Sequence, residues 1–284
     1  MQLGLINSAW LGSPVGTIEG IQKTREIGFD TIDIFADPLE TDIVERKAIR
    51  DACRSAGLPV VSTVCVALGL PDFNATVRRF HIHRARKYLE FGYELEARNL
   101  LLVLGEYVWQ REVIKPEDQW AFAVESVQEL GKTAMALGQE IAIELEPFHL
   151  SIINSLTNMD KFLNDVGIPA VKANLDISHL ELVHTPPDEI ASLKGRIAHV
   201  HLSDCNGKVH GDLPPGRGVV DFIPYLSALK DTGFSGAVSI ELEYSPEPDK
   251  IVDWVKEAYN ETDRMMRTLG MRAGAKHASP ASST

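Results

Sequence analysis

Val171–His179 reads VKANLDISH, a run with β character that ends on the carboxylate of Asp176, with an imidazole three residues later at His179. Three other segments end in a similar way: Ile141–Pro147 (IAIELEP), Ile197–Asp204 (IAHVHLSD) and Ala237–Tyr244 (AVSIELEY). Each is a short apolar alternation whose last residues are Glu, His or Asp. Parallel strands closed into a barrel would bring these four ends to one mouth, the face that carries chemistry in that architecture.

The rest of the chain supplies the other strands and the helices between them. Strands are expected at Gln2–Asn7, at Thr31–Ala36 (TIDIFA, with Asp33 inside it), at Pro59–Ala67 and at Asn99–Leu104, a continuous apolar run of the kind covered on both faces. Helices are expected at Thr17–Ile27, Thr41–Ala56, Ala75–Phe91, Pro116–Leu137, Thr157–Val166, Asp188–Leu193, Phe222–Thr232 and Asp249–Leu269. Gly28, Gly57 and Gly138 stand just past three of them, where a helix commonly ends. With the four segments quoted first, this makes eight strands, each followed by a helical segment. The pattern predicts an α/β fold, a (β/α)8 TIM barrel in a single domain over residues 1–270. An open doubly wound sheet is the alternative, but no Gly-x-Gly-x-x-Gly turn follows the first strand. Residues 271–284 are small, polar and aperiodic and read as a disordered tail.

Of the 284 residues, 44% are hydrophobic and 24% charged, with a net charge of −12. That acidity argues against nucleic acid or an anionic membrane as partner, since both are held by an excess of Lys and Arg. No apolar stretch approaches the roughly 18 residues that would suggest a bilayer span. The first residues carry no basic leader before their short apolar run, so a cytoplasmic protein is expected. Cys53, Cys65 and Cys205 are odd in number and outside any C-x-x-C pattern, which disfavours a disulfide framework or a zinc ribbon.

Glu144 and Glu146 have the same parity on the fifth strand, and Glu241 and Glu243 repeat the arrangement on the eighth. Carboxylates paired inside a barrel mouth are costly unless neutralised, and a divalent cation does this directly. His199 and His201 also share parity, with His201 nearer the mouth and Asp204 just beyond. Three carboxylates with one imidazole form a hard, oxygen-rich donor set suited to one divalent ion, Mn²⁺ foremost, with Mg²⁺ or Co²⁺ as alternatives.

The motifs IAIE, LDISH, AHVHLSD, GAVSIE and the PPGRG of the long loop Cys205–Val220 resemble the xylose-isomerase-like barrel superfamily. The likeness is strongest to its sugar epimerase and isomerase group, which includes D-tagatose and D-psicose 3-epimerases. The resemblance implies Glu144, Asp176, His201 and Glu241 as metal ligands, with His179 and Arg217 binding substrate. Family members often carry Asn–Arg after the first Glu, where this chain has LEPFH, so Glu146 stands as the alternate to Glu144. The implied reaction is epimerisation or isomerisation of a ketose or keto-sugar through a cis-enediolate, with Glu144 and Glu241 as acid and base. The long loop offers only Lys208 and Arg217 as basic groups, which favours an unphosphorylated substrate. His210, in the long loop, is a candidate for closing over the substrate, and Glu146 and Glu243 would lie beside it. Trp109 and Trp120 could form a substrate or subunit face, with core packing the favoured reading for most of the aromatics. A homo-oligomer, dimer or tetramer, is expected.

The alternative function keeps the site and changes the outcome to a lyase: decarboxylation of a 3-oxo sugar acid, dehydration of an inosose, or cleavage of a 3-keto C-glycoside together with a second subunit. The endonuclease IV branch is also similar. It needs extra histidines on earlier strands, where this chain offers Cys65 and Glu106.

Overall fold

The computed structural model describes residues 1–105, 114–243 and 245–272. Glu106, Trp109, Tyr244 and the tail from Ala273 to Thr284 lie outside the described residues. Eight parallel strands close into a barrel in sequence order: β1 Gln2–Ile6, β2 Thr31–Ile34, β3 Val60–Val66, β4 Asn99–Val103, β5 Glu140–Glu144, β6 Val171–Asp176, β7 Ile197–Leu202 and β8 Ala237–Ile240. The helices that return the chain are α1 Gly16–Ile27, α2 Ile43–Ala56, α3 Ala75–Glu94, α4 Pro116–Leu137, α5 Leu156–Val166, α6 Ile177–Leu182, α7 Phe222–Asp231 and α8 Ile251–Thr268.

Local chemistry accounts for the helix ends. Asp42 accepts hydrogen bonds from the Val44 and Glu45 amides and starts α2, while Ser155 does the same for α5 through the Asn158 amide. Gly138 stops α4 at φ +72°, a left-handed conformation that costs a side chain energy. The seam of the barrel needs a glycine for a different reason. At Gly4, a Cβ would run into the hydroxyls of Ser239 on β8 and Thr31 on β2, so the three strands can approach only because β1 has no side chain there.

The strands are buried along nearly their whole length, as a parallel sheet covered by helices requires. Outward residues such as Leu100, Leu102, Ile141 and Ile143 join Val127, Leu130 and Ala134 of α4 in the main core. The inner wall is divided. Ile6, Val64, Leu101 and Val103 make an apolar half from β1, β3 and β4. Glu144, Asn174, Asp176, His199, His201 and Ser239 make a polar half from β5 to β8, and Asp33 is the buried acid of β2.

Two expectations about strand ends are corrected. β5 stops at Glu144, because beyond it the Glu146 amide turns to the Ile153 carbonyl at 3.0 Å instead of continuing the ladder. β8 stops at Ile240, so Glu241 and Glu243 follow the strand, with the Glu241 amide still bonded to the Leu202 carbonyl at 3.1 Å. The helix α6 was absent from the sequence reading. It begins where β6 ends because Asp176 is also its N-cap.

Candidate active site

Asp176 has two jobs at one position. Its Oδ1 accepts from the Ser178 amide at 2.6 Å, the Ser178 hydroxyl at 2.8 Å and the His179 amide at 3.2 Å, which turns the strand into α6. Its Oδ2 is buried and has no hydrogen-bond partner. Glu144, at the end of the neighbouring strand, accepts from the Asn174 side-chain amide at 2.7 Å. His201 lies opposite Asp176 in the β6–β7 register, with Nδ1 3.0 Å from Glu241 Oε2 and 4.0 Å from Glu144 Oε2. Glu144, Asp176 and His201 each offer one donor atom, and these atoms all lie within 4.8 Å of one another. Glu241 joins the group through His201.

Burial pushes the Glu144 carboxyl up to about 8, with His201 opposing and Glu241 and Asp176 adding repulsion. Glu241 is likewise raised to about 8, chiefly by burial, although His201 pulls against it. Asp176 goes the other way. Burial would raise it, but His179, His210, His201 and the Ser178 hydrogen bond outweigh that and hold it at about 2. Burial disfavours a charged His201, yet Glu241, Asp33 and Glu144 together keep its proton affinity well above the ordinary value. Two buried carboxylates, Glu144 and Asp176, the latter with an orphaned oxygen, together with His201 and the partly buried Glu241, fit a hard divalent cation.

His179 stands on the first turn of α6. Its Nδ1 is 2.6 Å from the Leu145 carbonyl, which accepts only, so Nδ1 carries a proton and donates it. Burial lowers the His179 proton affinity to about 4, leaving a neutral ring whose Nε2 accepts from His210 Nδ1 at 3.2 Å. His210 Nε2 in turn lies 3.2 Å from Asp212, whose carboxyl is pushed well up by burial and by Asp176 and Glu243. The long loop therefore reaches the barrel mouth through His210.

A cavity of about 250 Å³ opens over these groups. Phe35, Val64, Val66, Leu101, Val103 and Phe148 form its apolar side, and Glu144, Glu146, His179, His210, Glu241 and Glu243 its polar side. Glu146 and Glu243 thus face the cavity, while the tight cluster contains Glu144 and not Glu146. Arg217 is not in the cavity wall, contrary to expectation. It makes a two-pronged ion pair with Glu257 of α8 at 2.8 and 2.6 Å and stacks over Trp254. Asp204 is a clamp for the loop, accepting from the amides of Cys205, Gly216, Gly218 and Val220 at 2.8–3.1 Å. Trp120 packs outside the barrel against Phe162 and donates to Asp165 at 2.7 Å.

Sequence reasoning assigned no role to Asp33, Asn174 or Asp212. Asp33 was visible as a charged residue inside a buried strand, and Asn174 shares parity with Asp176 two residues on. Asp212 carried no signal, because the fold of its loop decides where it points.

Comparison with known proteins places these features in a family. The pattern of the xylose isomerase-like TIM barrel family matches residues 21–265. D-psicose 3-epimerase of Ruminiclostridium cellulolyticum is 28% identical over 233 residues, 78% of this chain and 76% of that protein. L-ribulose-5-phosphate 3-epimerase UlaE of Escherichia coli is 23% identical over 258 residues, 84% of this chain and 88% of that protein. Among solved structures, D-allulose 3-epimerase from Methylomonas sp. superposes with a TM-score of 0.81 at 20% identity, over 93% of this chain and 98% of that one. The IOLI protein with a bound zinc atom superposes with a TM-score of 0.83 at 19% identity, over 95% and 99%. No helix among the described residues is long and apolar enough to cross a membrane. A closed eight-stranded parallel barrel, the polar strand ends from β5 to β8 and a family match over most of the chain lead to one assignment: this chain belongs to the xylose isomerase-like TIM barrel family.

Proposed function

We propose that this protein is a divalent-metal-dependent sugar epimerase acting on an unphosphorylated ketose or keto-sugar, with Glu144 and Glu241 as the acid–base pair. The observation that carries the reading is the pair itself. Two carboxyls lie within 4.0 Å of His201 Nδ1 and face one cavity, and without a cation both are raised to about 8. A carboxylate beside the reacting carbon can take a proton and return it. One carboxylate removes the proton from the carbon beside the substrate carbonyl, leaving an enediolate. The other returns a proton to the same carbon from the opposite face, and the configuration inverts. When bound by Glu144, Asp176, His201 and Glu241, a divalent cation supplies Lewis-acid polarisation of that carbonyl. The oxygen-rich donor set favours Mn²⁺.

The cavity supports the substrate class. At about 250 Å³ it falls just below the roughly 300 Å³ at which drug-sized pockets begin, which suits one sugar. Four glutamates and no Lys or Arg among its described lining residues repel a phosphate. His179 and His210 line the polar side of the cavity. The names of the relatives favour epimerisation over the decarboxylation, dehydration or glycoside cleavage considered from the sequence. A cytoplasmic homo-oligomer remains part of the proposal.

The test is incubation with Mn²⁺ in D₂O with a panel of ketoses, their phosphates and 3-keto glycosides, followed by chelation and proton NMR. Deuterium beside the carbonyl with an accumulating epimer is the expected result. Release of CO₂, water or an aglycone, or no exchange by a protein that binds the metal, would overturn it.

A further inference from the structure

Beneath the cluster lies a second set of polar groups that the proposed chemistry does not use. His199 Nε2 is 2.8 Å from Asp33 Oδ2, a carboxylate that reaches across from β2 to β7. The same oxygen is 3.6 Å from His201 Nε2, which has no hydrogen-bond partner of its own. The two imidazoles meet edge to face, with centroids 5.1 Å apart and planes at 80°. All three residues are fully buried.

His201 is therefore addressed from two sides. Nδ1 faces Glu241 and Glu144, and Nε2 faces Asp33. A buried carboxylate is expensive, and here it faces two imidazoles from the opposite wall of the barrel. We infer that Asp33 is the positioning residue of the metal site: it is the acceptor toward which the Nε2–H of His201 is directed, so that the Nδ1 lone pair is presented to the cation. A metal-bound histidine whose other nitrogen donates to a carboxylate is held in one tautomer and one ring orientation and is the more basic ligand for it. His199 contributes by pinning Asp33. The inference rests on the metal-dependent reading above.

Asp33, His199 and His201 could themselves be taken for a second cation site, since their donor atoms also lie within 4.8 Å of one another. The bond already formed between Asp33 and His199 argues for a positioning role, and the experiment separates the two. Wild-type protein with ¹⁵N-labelled histidine is loaded with diamagnetic Zn²⁺ and examined by long-range ¹H–¹⁵N NMR. His201 is expected to be metal-bound at Nδ1 and protonated at Nε2, with that proton shifted downfield. In Asp33→Asn the proton moves upfield, and the affinity for Mn²⁺, read from the free-ion EPR signal, falls about 10- to 100-fold. A purely structural role for Asp33 would lower the melting temperature of the metal-free protein without moving that proton.

Ligation of His201 through Nε2 would overturn the inference, and this arm needs only the wild type. Unchanged Mn²⁺ affinity in a folded Asp33→Asn would overturn it as well. So would a second metal equivalent that disappears in that variant, because Asp33 would then be a ligand. Failure of the wild type to bind any divalent cation would overturn both this inference and the metal-dependent reading beneath it, whereas the preceding outcomes leave that reading standing.

Discussion

Asn174 donates its side-chain amide to Glu144 across the β5–β6 pair, from the position directly opposite in register. The bond holds one oxygen of a carboxylate that is otherwise free to rotate into the cavity. Such outer partners of a metal-binding group typically account for about 10- to 100-fold in affinity or activity. Asn174→Ala is therefore expected to lower kcat/KM by about that factor while the far-ultraviolet circular dichroism stays native. An unchanged kcat/KM would mean that Glu144 is oriented by other contacts.

Glu241→Gln keeps the size of the side chain and removes its capacity to accept a proton. Loss of one acid–base group typically lowers turnover about 10²- to 10⁴-fold. Turnover should fall by at least that factor in Glu241→Gln and in Glu144→Gln, since each carboxyl handles the proton once per cycle. Solvent deuterium uptake measured from both epimers would show which residue works on which face.

The metal-free protein should lose stability as pH rises. Glu144 and Glu241 move from an ordinary 4.5 to about 8, chiefly because they are buried, so the folded state keeps protons that the unfolded chain has released. Stability then falls between about pH 4.5 and 8, and His201, raised above its ordinary 6.5, adds to the fall at the upper end. His179, lowered to about 4 by burial, works in the opposite sense, but only between about pH 4 and 6.5. The steepest unopposed loss lies between about pH 6.5 and 8. Urea unfolding across that window checks it. Loading with Mn²⁺ should flatten the curve and release protons, read by calorimetry in buffers of different ionisation enthalpy.

Removing the Asp204 clamp should free the loop that carries His210. Asp204→Ala takes away the acceptor for four backbone amides, and each hydrogen bond to a charged group contributes about 1.5–3 kcal/mol. The expected outcome is protease cleavage within Cys205–Val220 and a raised KM. A loop that still resists protease would show that its apolar contacts suffice.

Arg217→Ala should do little. Its partner Glu257 is on the outer helix α8, and a partly exposed ion pair is worth about 0–1 kcal/mol. KM within about threefold of wild type is expected, whereas a large rise in KM would bring the arginine back into substrate binding.

The success and failure of the sequence reading divide along physical lines. Periodicity exposed the barrel, because a parallel strand covered on both sides must be apolar and the return helix must be amphipathic. The polar ends of the last four strands stood out against that background, and the family resemblance then singled out Glu144, Asp176, His201 and Glu241, three of which converge. Arg217 could not be judged in the same way. Its direction is set by a loop whose course depends on Asp204 gathering amides from Cys205 to Val220, and no alternation records that. Asp33 was in plain view, but its meaning required knowing that β2 faces β7 across the barrel. Glu144 and Glu146 have the same parity, and only the turn after β5 separates them.

The seam at Gly4 sets an order of events during synthesis. Gln2 pairs beside Ala237, so the first strand made waits for the last. A nascent chain emerges with its amino-terminal part first. Glu144, Asp176 and His201 leave the ribosome before β8 does, and Glu241 follows β8. The fourth group, the Glu241 carboxylate, arrives only when Ala237–Ile240 docks between β7 and β1, and that docking depends on a glycine too small to obstruct it. A chain ending before β8 would carry three of the four groups on seven strands that cannot close. Completion of the site and closure of the barrel are one event.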